Sequence, residues 1–172
     1  MDKEAPEEPT DGLAGADQLS TRTDGENLEL CDGSTEPDPE TLQDYALRAK
    51  SAAQGNAGIA QVSEASSGYS RSQIRMAATK GFSGGYARSD IGLSCVAISG
   101  TGTGMERDYD YDTRIFQSDM RAPEDIGRTA SARAVERAGT RRPKTGSYPV
   151  LFDERVASSL IGHLVQATND SA

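Results

Sequence analysis

The spacing of hydrophobic positions changes from helical to strand-like early in the 172-residue chain. In residues 37–55, apolar side chains recur three and four positions apart, which predicts a helix. Asp38 is placed to cap the start of this helix, and Gly55 is placed to end it. From residue 58 the hydrophobic period is two, which predicts three or four strands joined by turns that contain glycine.

Helical spacing returns in the last third of the chain. A second predicted helix opens at Pro123 and ends at Gly139. A short strand at residues 147–152 then leads to a third helix, which Asp153 is placed to cap. Because sequential strands with short connections pair antiparallel, the sheet should be a meander with one solvent-exposed side. The predicted fold class is α+β, an antiparallel β-meander of three to four strands with flanking helices, followed by a strand-helix unit.

The last predicted strand of the meander, "MERDYDYDT", has two unlike faces. Its apolar-leaning face consists of Met105, Tyr109 and Tyr111. Its opposite face is acidic and consists of Glu106, Asp108, Asp110 and Asp112. An acidic strand face of this kind indicates contact with basic groups of a neighbour.

A calcium-binding loop is the alternative interpretation of the same aspartates. Asp108, Asp110 and Asp112 fall at the first three ligand offsets of an EF-hand loop, and Asp119 falls at the twelfth. Thr113 occupies the sixth position, where the sharp turn of such a loop needs glycine. The alternation of aspartate and tyrosine therefore favours a half-exposed strand over a calcium site.

Charge is concentrated at the start of the chain. Residues 1–44 carry 14 acidic and 2 basic side chains, whereas residues 45–172 carry 13 acidic and 16 basic ones. An acidic segment with so few apolar side chains cannot offset its ordering entropy by burial, so residues 1–36 are expected to be mostly disordered. The remainder is nearly neutral and its arginines are scattered, which predicts no direct nucleic-acid binding.

The two cysteines, Cys31 and Cys95, stand far apart, with no CxxC pattern and no signal peptide. This arrangement favours a reducing, cytoplasmic setting. The longest apolar runs are too short to cross a bilayer, so no membrane partner is expected.

Two glycine-rich motifs have both a catalytic and a structural interpretation. The "GFSGG" motif at residues 81–85 matches the G-x-S-x-G pattern of a hydrolase, with Ser83 as the would-be nucleophile, but that pattern joins a strand to a helix and needs a histidine base. The "GTGTG" motif at residues 100–104 resembles a phosphate-binding loop, which requires a helix to follow. Strands are expected after both motifs, so both are predicted to be β turns.

His163 is the only histidine of the chain and lies on the third predicted helix. A zinc site needs three or four converging nitrogen, sulfur or oxygen ligands. One histidine and two remote cysteines provide no obvious set of this kind. A single histidine beside the apolar stripe of a helix is usually a partly buried residue, and composition alone predicts no more.

Three stretches of the sequence resemble the PmbA/TldD family: "ATKGFSGGY", "GMERDYDYDTR" and residues 123–167. Within the third stretch, "TGSYPVLFD" and "VASSLIGHLVQA" are the most specific. The likeness is closer to the PmbA side of the family, also called TldE, than to the TldD side, and it extends from about residue 37 to the end. It implies a cytoplasmic metalloprotease family that acts on small or unfolded peptides, in microcin maturation and antitoxin degradation. An older name of the family is modulator of DNA gyrase.

The resemblance also has a consequence for the third helix. TldD members carry H-E-x-x-x-H on the equivalent helix, where two histidines would bind zinc and the glutamate would polarise a water. The corresponding positions of this chain are Gly162, His163 and Ala167, so all three chemical groups are absent. The resemblance therefore implies no catalytic residue, metal ligand or cofactor in this chain, and zinc only in a TldD-type partner. A regular helix is expected here, with His163 as a residue that contacts a neighbour.

The resemblance further implies that family members are more than twice as long as this chain. The expected domains are an acidic segment at residues 1–36, the PmbA/TldD middle domain at residues 37–142, and the truncated start of the C-terminal domain at residues 143–172. The strand at residues 147–152 and its helix would bury their apolar face against missing chain. In isolation they should dock loosely or expose an apolar patch.

The leading functional hypothesis is a PmbA/TldE-like subunit, or a fragment of one, that is not catalytic by itself. Its partners would be a TldD-type zinc peptidase subunit and a peptide or unfolded protein substrate. One alternative is an acidic protein-binding module that modulates DNA gyrase, and the other is a hydrolase that is active alone through Ser83 or an aspartate-bound metal. The candidate contact residues for a partner or peptide are Asp108, Asp110, Asp112 and His163.

Overall fold

The computed structural model describes residues 15–25, 27–78 and 80–168. The chain divides into two compact units, with the boundary between Thr140 and Arg141. The first unit contains helix α1 (Pro39–Gln54), strands β1 (Ile59–Ala77), β2 (Ser83–Ser99) and β3 (Glu106–Arg114), and helix α2 (Pro123–Glu136). The second unit contains helix α3 (Glu154–Thr168). Single turns of 3-10 helix occupy Ala16–Gln18, Gly102–Gly104 and Gln117–Asp119.

Helix α1 begins and ends where its capping residues predict. The Asp38 side chain accepts a hydrogen bond from the backbone N–H of Thr41 at 2.7 Å, which satisfies one of the open donors of the first turn. Gly55 is the residue that caps the other end, and its N–H donates to the carbonyl of Ser51. Local sequence therefore fixes both ends of this helix.

The sheet is an antiparallel meander in the order β1, β2, β3, which confirms the predicted fold class. Strands β1 and β2 are much longer than β3 and form a 17-residue hairpin arm that pairs Ala77 with Ser83 at its turn. β3 pairs only with residues 91–99 of β2. Residues 83–90 of β2 therefore extend past the end of β3.

Both helices of the first unit pack on one face of the sheet and close a small aliphatic core. The buried side chains of β2 alternate with half-buried ones, as the period of two predicts. The core residues are small, which follows from a sequence with few aromatic side chains. The fully buried cluster consists of Ala49, Ala53, Leu93, Cys95, Ala97, Ile126, Ala130 and Ala134.

Helices α1 and α2 approach each other closely because α2 carries a glycine at the contact. A Cβ atom on Gly127 would lie 2.1 Å from the carbonyl oxygen of Ala49, far inside van der Waals contact. Beside this contact, the guanidinium of Arg48 donates two hydrogen bonds to the carboxylate of Glu124, at 2.7 and 3.0 Å. A bidentate pair of this kind fixes the relative rotation of the two helices as well as their distance.

The described residues of the second unit, 141–168, form the third helix but no strand. Asp153 caps α3, since its Oδ1 atom accepts a hydrogen bond from the backbone N–H of Arg155 at 3.0 Å. The strand predicted at residues 147–152 is wrong, because those residues have no regular structure. A strand is defined by hydrogen bonds to a neighbouring strand, and an apolar sequence alone does not supply that neighbour. Its side chains are exposed, and Leu151 retains 98% of its accessible surface.

No helix among the described residues is both long enough and apolar enough to span a membrane.

Candidate functional site

The acidic ladder, defined as Asp108, Asp110 and Asp112 of β3, faces helix α2. These residues retain 5%, 6% and 7% of their accessible surface, so all three are buried. Tyr109 and Tyr111 point to the opposite face, where they are exposed and stack with ring centroids 6.1 Å apart. The predicted alternation is therefore confirmed, but the buried face of β3 is the acidic one. Across the sheet the ladder pairs with the core residues Leu93, Cys95 and Ala97.

Asp110, at the centre of the ladder, binds two arginines. Its Oδ2 atom accepts a hydrogen bond from Nη1 of Arg121 at 2.8 Å, and its Oδ1 atom accepts one from Nη1 of Arg133 at 2.7 Å. Arg133 belongs to α2, and Arg121 lies just before that helix. Burying an unpaired carboxylate would cost several kcal/mol, so these two guanidinium groups are what allow an aspartate at this position.

The outer aspartates of the ladder have arginine partners as well. Asp112 accepts a hydrogen bond from the backbone N–H of Arg121 at 2.9 Å and forms an ion pair with Arg114 at 3.0 Å. Asp108 accepts a hydrogen bond from Nη1 of Arg137 at 3.3 Å. The prediction that the acidic face meets basic groups is therefore confirmed, and the neighbour is α2 with its flanking residues.

The pairing of the ladder limits what else it can bind. Because its carboxylate oxygens already bind arginines, contact with a partner or peptide would require those side chains to move, and this role stays a prediction. β3 is a continuous strand, whereas a calcium loop must wrap around its ion. Among the described residues, no three His, Cys, Asp or Glu side chains are grouped closely enough to hold a metal ion.

Both glycine-rich motifs lie in β hairpins, as predicted. Ser83 is the exposed first residue of β2, and the turn before it is closed by a hydrogen bond from the N–H of Ala78 to the carbonyl of Phe82 at 2.9 Å. The backbone φ of Gly81 is +100°, a conformation that favours glycine. The other motif connects β2 to β3 through the 3-10 turn Gly102–Gly104. Neither motif is followed by the helix that a nucleophile elbow or a phosphate loop requires.

Helix α3 is a regular α-helix across the positions that correspond to H-E-x-x-x-H, as the sequence predicts. Gly162 and Ala167 offer no side-chain donor, and His163 is exposed on the same helix. One imidazole supplies a single nitrogen where a catalytic zinc ion needs three protein ligands. The residues present on this helix do not fit a zinc ion.

Part of the N-terminal stretch is hydrogen-bonded to the sheet. Residues 1–14 and 26 lie outside the described residues. Residues 23–25 and 27–32, hereafter the edge segment, lie along the part of β2 that β3 leaves open. The N–H groups of Gly85 and Ser89 donate to the carbonyls of Thr23 and Leu30, at 2.7 and 3.1 Å. Backbone hydrogen bonds thus hold a segment of low hydrophobicity against the sheet. Such bonds cannot be predicted from amino-acid composition.

Asp32 anchors the end of the edge segment. Its side chain is buried and accepts hydrogen bonds from the backbone N–H groups of Gln117 at 2.9 Å and Ser34 at 2.8 Å. These bonds stabilise the carboxylate and lower its pKa below the usual value. Its own N–H donates to Oγ of Ser89 at 2.7 Å. Hydrophobic patterning does not reveal this anchor, although the Asp-Gly pair at residues 32–33 is a turn signal that points to it.

A cavity of about 550 Å³ lies between the edge segment and the hairpin arm. Its walls include Leu30, Arg75, Ala87 and Phe116, so it combines apolar surface with one guanidinium group. Sequence patterns do not predict this cavity, because the segment that covers it has the composition of a disordered N-terminus.

The fold and its sites define a sheet-and-two-helix domain of the kind found in a metallopeptidase family. The sequence model of the "PmbA/TldA metallopeptidase central domain" matches residues 32–138, which is more than half of the chain. The chain therefore belongs to the PmbA/TldD family.

Curated relatives carry the PmbA name. The chain is 37% identical over 83 residues to metalloprotease PmbA of Escherichia coli O157:H7, a match that covers 48% of this chain and 18% of the relative. It is 32% identical over 63 residues to a PmbA homologue of Buchnera aphidicola, covering 37% of this chain and 14% of that protein. The matched region thus spans less than a fifth of the length of these relatives.

Solved structures share the fold. A protein of Bacteroides thetaiotaomicron, described as a proposed modulator of DNA gyrase, superposes with a TM-score of 0.68 at 20% identity, over 80% of this chain and 34% of that one. A protein of Thermotoga maritima with a similar description gives a TM-score of 0.58 at 17% identity, over 68% of this chain and 30% of that one. At these identities the likeness establishes the fold and no activity.

Proposed function

We propose that this chain acts as a PmbA/TldE-type subunit, or part of one, in a cytoplasmic peptidase whose zinc ion is held by a TldD-type subunit. The match of residues 32–138 to the metallopeptidase central domain carries this proposal. The chemistry of α3 supports the division of labour, because Gly162, His163 and Ala167 stand where zinc ligands and a catalytic glutamate would be needed.

The part of this chain in peptide handling would be to bind and align. β1 and β3 are the outer strands of the sheet, and an outer strand offers unpaired N–H and C=O groups to an extended peptide. Such pairing depends on the peptide backbone and is therefore tolerant of peptide sequence. The scission step itself would take place at the zinc ion of the partner subunit.

The test is to purify the chain alone and together with a TldD-type zinc subunit. We expect the two to co-purify, and we expect casein-like substrates to be cut only by the pair, in a manner that EDTA stops and Zn²⁺ restores. The variant Ser83→Ala should leave the activity of the pair unchanged, since this side chain is assigned no chemical step. EDTA-sensitive peptide cleavage by the purified chain alone would contradict the proposal, and loss of cleavage in Ser83→Ala would support an independent hydrolase.

Modulation of DNA gyrase is the second candidate function. It is favoured by the descriptions of the two structural neighbours and by an acidic N-terminal segment whose charge could imitate that of DNA. If the segment carries this function, gyrase should be captured by the full chain and lost on deletion of residues 1–36. Capture that survives the deletion would exclude the segment from that role.

A further inference from the structure

The edge segment and β2 are unequal in length between the points where they join. Thr23 and Leu30 are seven residues apart, whereas the residues that bond to them, Gly85 and Ser89, are four apart. The segment runs parallel to β2 and must therefore loop away from it. Asn27 and Glu29 lie in this loop with φ values of 66° and 49°, in the left-handed region. Backbone of this kind in residues other than glycine costs about 1 kcal/mol or more each.

The cavity of about 550 Å³ lies beside this loop. The N–H groups of alternate residues in a strand point to the same edge, so Ala87 presents its N–H on the side where Gly85 and Ser89 bond to the segment. Ala87 also lines the cavity. A regular extended chain could accept hydrogen bonds from all three N–H groups in register, with no excess residues and no left-handed backbone.

Close contacts show how the edge segment is fitted to β2. A Cβ atom on Gly84 would lie 2.4 Å from the carbonyl oxygen of Thr23, and a Cβ atom on Gly25 would lie 2.6 Å from Cβ of Tyr86. A glycine on each side of the contact is therefore needed for the edge segment to pack against β2. Gly33, just beyond the anchor Asp32, has no atom within 4 Å of its would-be Cβ.

The charges indicate what else could lie on this edge. The edge segment contributes Asp24, Glu29 and Asp32, whereas Arg75 lines the cavity and Arg71 lies on the same strand. Arg71 already forms an ion pair at 3.5 Å with Glu36, just beyond the edge segment. These two arginines of the hairpin arm provide positive charge that an acidic strand complements.

We propose that the edge of β2 from Gly85 to Ser89 is a docking site for an extended acidic peptide segment of another polypeptide, and that the edge segment holds this site closed. The incoming segment replaces the bonds of Thr23 and Leu30 and places an apolar side chain against Ala87 and Phe116, which are walls of the cavity that remain when the edge segment leaves. In this proposal, the edge segment occupies the docking site within its own chain until the segment of another polypeptide displaces it. This inference goes beyond the proposed peptidase role and does not depend on it.

The test uses the full chain with the variant Gly25→Val, which creates a clash with Tyr86 but substitutes no residue of the β2 edge. Gly33→Ala is the matched control, because its new methyl group meets nothing. The probe is a fluorescently labelled synthetic peptide with the sequence of residues 22–32, "RTDGENLELCD", with its cysteine replaced by serine. Fluorescence anisotropy measures binding, and amide hydrogen exchange measures protection of the Gly85 and Ser89 N–H groups.

We expect Gly25→Val to bind the peptide at least tenfold more tightly than the unchanged chain or Gly33→Ala, with affinity falling as salt rises. Exchange at Gly85 and Ser89 should accelerate in Gly25→Val and slow again when peptide is added. Adding Gly84→Ala to Gly25→Val should remove binding, since the new methyl group occupies the place of the peptide carbonyl.

Three outcomes would overturn the proposal. Unchanged exchange at Gly85 and Ser89 in Gly25→Val, with the same result for Asp32→Asn, would mean that the segment does not close the edge. Faster exchange without peptide binding would mean that the open edge is not a docking site. Dimerisation of Gly25→Val in sedimentation velocity would assign the edge to a second copy of the chain.

Discussion

Asp110 illustrates how a single residue obtains its role from residues distant in sequence. The alternation of β3 places its side chain on one face, but the arginines that neutralise it lie 11 and 23 positions further along the chain. With 8% of its side chain exposed, the carboxylate exchanges water for two guanidinium donors. At this scale the acidic ladder is part of the packing of α2 on the sheet.

The variant Asp110→Asn should reduce the free energy of unfolding by about 1–3 kcal/mol, measured by urea denaturation. The loss is smaller than for a fully buried pair because Arg121 and Arg133 retain partial access to water, which can hydrate the charges left behind. Asp44→Asn is the control, since its pair with Arg48 is exposed and should contribute less than about 0.5 kcal/mol. Equal losses in the two variants would contradict a structural role for the ladder.

At the scale of elements, the contact between α1 and α2 also depends on residues that are distant in sequence. Each helix is predictable from its caps and spacing, but their separation is set by one glycine of α2 against the backbone of α1. In a helix considered alone, glycine is a weakness, because alanine is favoured by about 1 kcal/mol. Close packing reverses that preference.

Gly127→Ala should therefore destabilise the first unit by about 1–3 kcal/mol, because the methyl group would meet the carbonyl oxygen of Ala49 and push the helices apart. Gly162→Ala in α3 is the matched helical control, where nothing lies within 4 Å and alanine should increase helix content. Urea denaturation and far-ultraviolet circular dichroism measure the two effects. Stabilisation by Gly127→Ala would show that the two helices do not meet as described.

Helix α3 is an element without a covered face. Its apolar residues, among them Leu160, Ile161 and Leu164, are exposed, and none of its residues is buried. Isolated helices of this length are marginally stable in water, because most helical stability comes from packing of an apolar face. The second unit is therefore expected to open far more often than the first.

Limited proteolysis measures this difference directly. Trypsin should cut after Arg141, Lys144 or Arg155 well before it cuts within residues 59–136, because cleavage requires local unfolding. Mass spectrometry of early time points identifies the order of the cuts. Equal resistance of both regions would show that residues 145–168 are stabilised by contacts of their own.

At the scale of the whole molecule, the ionisable groups bound the pH range of stability from both sides. Hydrogen bonds from Gln117 and Ser34 lower the pKa of Asp32, and the hydrogen bond from Arg48 lowers the pKa of Glu124. Burial in the core raises the pKa of the Cys95 thiol to about 11. The carboxylates therefore favour the folded state when they are ionised, and the thiol favours it when it is protonated.

Unfolding by urea should be hardest between about pH 5 and 9. The carboxylate contribution is present above the unfolded pKa values near 4 and is lost as the pH falls through the lower folded values. The thiol contribution is present below pH 9 and is lost as the pH rises through 11, by about 2–3 kcal/mol. Cys95→Ala should make the alkaline decline shallower and leave the acid decline unchanged; an unaltered alkaline decline would contradict the assignment to Cys95.

Local signals in the sequence determined the three helices, the alternation of the strands and the antiparallel meander, because capping, helical spacing and period-two patterning act over a few residues. The sequence also determined that Gly162 and Ala167 offer no ligand, since side-chain chemistry does not depend on the fold. Only the tertiary structure decided that the acidic face of β3 is buried, that residues 147–152 form no strand, and that Asp32 is anchored. Each of these features depends on contacts between residues that are distant in sequence. Local patterns along the chain do not specify such contacts directly.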